Sequence, residues 1–103
     1  MKNLLAAVIL SCSTAAWAES VAASWSSKCK SCHGEDGRGD TKMGKKEKVQ
    51  DLTTAKWQSG HTDEQIRSAI SDGVPDTKMK AFKEKLEPAR IEELVKFVRG
   101  LKT

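Results

Sequence analysis

Cys29-Lys30-Ser31-Cys32-His33 gathers two thiols and an imidazole within one short stretch, the densest set of reactive side chains in the sequence. Competing chemistries differ in what else they demand. A structural zinc site needs four ligands, and only His61 remains as an outside donor of the usual type. A redox dithiol of the thioredoxin kind sits in a βαβ pattern, and no run here alternates apolar and polar residues in the β manner. A plain disulfide followed by a chance histidine asks for nothing more and explains nothing more. The C-x-x-C-H spacing is that of covalent haem attachment. Two thiols three positions apart lie on one side of a helical turn, where both reach the vinyl groups on adjacent edges of one porphyrin. The neighbouring imidazole is then held beneath the iron as a proximal ligand.

A low-spin electron carrier also needs a donor on the opposite haem face, and Met43, His61 and Met79 are the candidates. A methionine is more often a core filler than a ligand, so setting decides. Met43 falls in a flexible, charged loop soon after His33, and nothing marks it. His61 stands just before a helix cap at Thr62 and reads as a surface residue beside it. Met79 lies between two helices on an irregular segment, far enough along the chain to close over the far face. It is the preferred candidate, and the other two stay open.

Those side chains belong to a chain that reads as exported. Lys2 precedes an apolar run from Leu4 to Leu10, and Ala16-Trp17-Ala18 is the small-x-small pattern cut by signal peptidase. The run is shorter than the roughly 20 residues that a bilayer span requires. Cleavage at Cys12 to give a lipoprotein would leave a very short signal, so cleavage after Ala18 is preferred. The expected division is a signal peptide at 1–18 and one domain at 19–103, with a periplasmic destination. Removing 1–18 leaves 85 of the 103 residues and carries away Cys12 and Lys2. Cys29 and Cys32 then stand as the remaining pair, in a compartment where an idle thiol pair would be oxidised. The 18 basic residues fall to 17 against 14 acidic ones, a net charge of +3. That mild, interspersed balance does not argue for nucleic acid, but suits docking onto an acidic protein surface.

A domain this small buries a thin core and usually needs a staple, a metal or a cofactor. Residues 20–32 lack Pro and Gly and predict a helix that ends in the cysteine motif, with Val21, Trp25 and Cys29 on one stripe. Four glycines between 34 and 44 predict a loop able to wrap closely around a ligand. Residues 45–60 are loosely patterned, with Val49, Leu52 and Trp57 as buried candidates. Thr62-Asp63-Glu64-Gln65 has the form of a capping box, opening a helix that carries Ile66, Ala69 and Ile70 and stops at Gly73. Pro88 opens a last helix with Ile91, Leu94, Val95 and Val98 as its stripe. The expectation is an all-α fold of three principal helices, whose long loops make sense if a large flat ligand fills the centre.

With these residues in view, the chain resembles the class I bacterial c-type cytochromes, small periplasmic proteins with one haem. The likeness rests on Cys29-Lys30-Ser31-Cys32-His33-Gly34, on Asp36-Gly37-Arg38-Gly39, and on Lys78-Met79-Lys80-Ala81-Phe82 before a terminal amphipathic helix. It implies the cytochrome c fold and one covalent haem c. By the same resemblance Cys29 and Cys32 bind the haem vinyls, His33 is the proximal iron ligand and Met79 the distal one. It further implies crossing terminal helices, packed here through Trp25, Leu94, Phe97 and Val98, and a Trp57 near the haem propionates; core packing explains Trp57 equally well. Two departures matter. Lys80 stands where many members have proline, which implies a less rigid ligand loop. Residues 34–44 also lack the proline whose carbonyl orients the proximal imidazole in members of the mitochondrial type.

The function so implied is single-electron transfer by a monomeric, non-enzymatic carrier with redox proteins as partners and no membrane span in the mature chain. Lys28, Lys30, Lys78, Lys80, Lys83 and Lys85 would ring the haem edge and steer acidic partners, or form an ordinary solvated face. The alternative is a small-gas-binding or peroxidase-like haem protein with a labile distal ligand.

Overall fold

A computed structural model describes residues 20–102; the expected signal segment, 1–18, lies outside them. Ser20 caps the first helix, its hydroxyl accepting the Ala23 N–H at 3.1 Å. Helix α1 spans Val21–Lys28, and α2 spans Lys30–His33. Cys29, at φ −119° and ψ −31°, is the joint between them. The single helix expected over 20–32 is therefore two pieces. Backbone bonds still run through the joint, from Cys29 N–H to Trp25 C=O at 2.9 Å and from His33 N–H to Cys29 C=O at 3.0 Å.

The glycine-rich stretch leads into a short helix, α3, at Lys42–Lys46, and a second short helix, α4, covers Ala55–Gly60. Neither was legible as an element, because neither carries an apolar stripe. Helix α5 spans Asp63–Asp72 and opens on the expected capping box, with Thr62 and Gln65 bonding reciprocally. Gly73 ends it at φ +76°, a backbone conformation natural to glycine. Helix α6 spans Pro88–Arg99, with proline in its first turn and Lys96 and Arg99 in its last, complementing the helix dipole. There are no strands among the described residues.

One core joins these pieces. Helix α6 buries Ile91, Leu94, Val95 and Val98, and α5 buries Ile66 and Ile70. Trp25 from α1 meets Phe97 of α6 with ring centroids 4.9 Å apart and planes tilted 35°. A tilted aromatic pair adds about 0.5–1.5 kcal/mol beyond the area it buries. This is the crossing of terminal helices that the sequence leads one to expect. Arg67 and Glu92 hold α5 to α6 through a two-pronged ion pair. Both groups are well exposed, so their contribution is orientation more than stability.

Helix α3 is pinned against α2. The Thr41 hydroxyl caps α3 by accepting the Gly44 N–H at 2.8 Å, and it donates to the Ser31 carbonyl at 2.8 Å. Gly44 lies against the carbonyls of Cys32 and Gly39, so close that a Cβ would collide with both. The cysteine motif thus has backbone packed directly on its outer side. Gly44→Ala is expected to lower stability by about 1–3 kcal/mol, the usual range for overpacking. Denaturant unfolding of the haem-loaded protein checks this, and a midpoint equal to the parent's would contradict it.

Candidate functional site

One side of this core borders a cavity of about 890 Å³. Trp25, Leu52, Ile66, Ile70, Phe82, Leu94 and Val98 belong both to the core and to the cavity wall. Cys29, Cys32 and His33 line the cavity together. Both cysteines are free thiols, so the pair is not joined as a disulfide. No group of three or more His, Cys, Asp or Glu is arranged to hold a metal ion among the described residues.

Burial sets the chemistry of these donors. Desolvation pushes the Cys29 thiol up to about 11; Lys28 pulls against that shift and Cys32 adds to it. Desolvation also pushes His33 below the ordinary histidine range, which keeps the imidazole neutral. Neutral imidazole is the form that ligates a metal. The His33 ring lies 5.8 Å from the Trp25 ring, and Trp25 Nε1 donates to the Gly34 carbonyl at 2.9 Å. The same tryptophan therefore packs the terminal helices and steadies the end of the motif. His33 Nδ1 is buried and accepts or donates no hydrogen bond.

Of the three far-side candidates, Met79 and His61 line the cavity and Met43 does not. Met43 is 42% exposed on α3, which removes it as an inward-facing donor. His61 is half-buried, not the surface residue expected from its place before a cap. Its ring stacks on Trp57 at 4.4 Å, and its Nδ1 lies 2.9 Å from the Trp57 carbonyl. Arg99 fixes this corner by donating to the carbonyls of Gln58 and His61 while pairing with Asp63 at 2.6 Å. Trp57 itself lines the cavity and packs on the core.

Met79 is half-buried against the core on the segment after α5. That segment is tied down at each end. Val74 N–H donates to the Met79 carbonyl at 3.1 Å, and Phe82 N–H donates to the Ile70 carbonyl at 3.0 Å. The loop that lacks a proline after Met79 is thus restrained by backbone bonds. Around the cavity stand Lys28, Lys78, Lys80 and Lys85 from the expected ring. Lys83 pairs with Asp72 at 3.5 Å, and Lys30 is outside the lining. Lys48, which the sequence did not single out, joins them. Its one visible signal is its place in the lysine-rich stretch Lys45-Lys46-Glu47-Lys48.

Helices packed around one cavity behind a C-x-x-C-H wall define a small c-type cytochrome. The family model described as cytochrome c oxidase, cbb3-type, subunit III matches residues 16–98, and the chain belongs to that family. Among solved structures it is similar to the KustC0563 c-type cytochrome, at 36% identity and a TM-score of 0.75. That match covers 82% of this chain and 100% of the other. A tyrosine-to-phenylalanine mutant of Kustc0563 matches at 38% identity and a TM-score of 0.71, covering 80% of this chain and 98% of the mutant. No curated protein matches the sequence. A c-type cytochrome domain implies covalently bound haem c and suggests haem-based electron transfer. The donor set fits that group: two free thiols, a neutral imidazole and a thioether line one apolar cavity.

Proposed function

We propose that this protein is a periplasmic, monomeric carrier of single electrons, with Cys29 and Cys32 as the covalent haem anchors, His33 as the proximal ligand and Met79 as the distal one. The observation that carries the reading is that one apolar cavity collects all four side chains, with the C-x-x-C-H triad and Met79 contributed by separate segments. Bound haem supplies a one-electron change at iron, and thioether ligation raises its reduction potential relative to two imidazoles. The chain's own part is structural and electrostatic. Trp25 and Gly34 hold the proximal segment, the tied loop presents Met79, and the surrounding apolar side chains exclude water. With His33 and Met79 both holding the iron, the chain would leave no open place for oxygen or peroxide to bind. The backbone bonds across the Met79 segment weigh against the gas-binding alternative, which needs that face to open.

No helix among the described residues is long and apolar enough to cross a membrane. Redox partners are then met by docking. Lys28, Lys48, Lys78, Lys80 and Lys85 would surround the exposed edge with positive charge and steer acidic proteins toward it.

Two outcomes test the proposal. In Met79→Ala the methionine-to-iron charge-transfer band of the oxidised protein disappears; its survival means that another residue is the ligand. Electron exchange with an acidic redox protein slows as ionic strength rises, and a rate indifferent to salt removes the steering role of the lysines.

A further inference from the structure

Residues 74–79 form a closed ring that ends on Met79. Val74 N–H donates to the Met79 carbonyl at 3.1 Å, joining the two ends. Inside it, Thr77 N–H donates to the Val74 carbonyl at 3.2 Å, closing a turn over Pro75 and Asp76. Proline in the second position and a positive φ in the third, 63° at Asp76, are the marks of a type II turn. The turn aims the Thr77 side chain back across the ring. Its hydroxyl donates to the Val74 carbonyl at 2.8 Å and accepts the Met79 N–H at 3.0 Å.

That hydroxyl bridges the two ends of the ring a second time. Without it the Met79 N–H has no partner within the segment. Gly73 makes the closure possible from the other side, since a Cβ there would stand 2.9 Å from both the Met79 carbonyl and the Ala81 nitrogen.

We infer that Thr77 is a positioning residue for Met79, its hydroxyl holding the distal loop closed in place of the restraint that a proline after the methionine would give. The inference rests on the reading of Met79 as the distal ligand. An outside ligand reaches iron only when this loop opens, so its apparent affinity scales with the open fraction. Removing the hydroxyl deletes both of its hydrogen bonds, and the loss of even one of ordinary net strength raises that fraction about fivefold.

The test is imidazole titration of the oxidised, haem-loaded protein. Thr77→Val, of nearly the same shape, is expected to bind imidazole at least about fivefold more tightly than the parent. Thr77→Ser, which keeps the hydroxyl, is expected to bind like the parent. A parent-like Thr77→Val overturns the inference, and so does a Thr77→Ser that behaves like the valine variant. Met79→Ala separates the underlying reading: it must bind imidazole more tightly than either threonine variant. If it matches the parent, Met79 is not the ligand and the failure lies there. Should Thr77→Val not load haem, amide hydrogen exchange in the parent decides. The Met79 N–H is expected to be protected, and exchange at the rate of a free peptide overturns the inference.

Discussion

The constraint on which the rest of this fold depends is that one small set of apolar side chains must serve both as the core and as most of the wall of a cavity. Trp25, Leu52, Ile66, Ile70, Phe82, Leu94 and Val98 are buried, yet each also faces the central space of about 890 Å³. In a protein interior, a void of that size forfeits dispersion contacts on every side chain that borders it. The haem c implied by the family would restore those contacts, so the group that supplies the chemistry would also complete the packing. This explains why so small a domain keeps long loops: they are walls, not connectors.

The two sides of the cavity are built by different means. On the side of the C-x-x-C-H motif, short-range helical bonds carry the chain from Trp25 through Cys29 to His33, and Gly44 backs the motif from outside. The bonds of that wall join residues close in sequence. The Met79 side is a loop whose order comes from its own ring of hydrogen bonds and from anchorage to the end of α5. Its closure is an equilibrium set by a few weak bonds. In a haem protein, the difference between passing electrons and binding small molecules lies in whether such a face stays shut.

Much of this was legible in the sequence because local chemistry dictated it. The Thr62–Gln65 capping box, the stop at Gly73 and the first-turn Pro88 all sit where their residue types predict. The stripes of α5 and α6 marked much of the core, and the motif marked Cys29, Cys32 and His33, which line the cavity together. What stayed hidden depends on contacts between distant residues. Helix α3 exists because Thr41 caps it and Gly44 fits beneath Cys32, and no apolar period announces it. The inward tilt of His61 comes from its stack on Trp57 and from Arg99, which arrives from the other end of the chain. The exclusion of Met43 and the entry of Lys48 into the lysine ring both follow from where the cavity opens, which no short-range pattern encodes.

The central claim is that Met79 closes the far side of the cavity and leaves the iron a carrier of electrons alone. Carbon monoxide added to the reduced, haem-loaded protein at neutral pH tests it most directly. The account predicts that the absorption spectrum stays that of the six-coordinate reduced protein. Prompt formation of a carbon monoxide complex would contradict it.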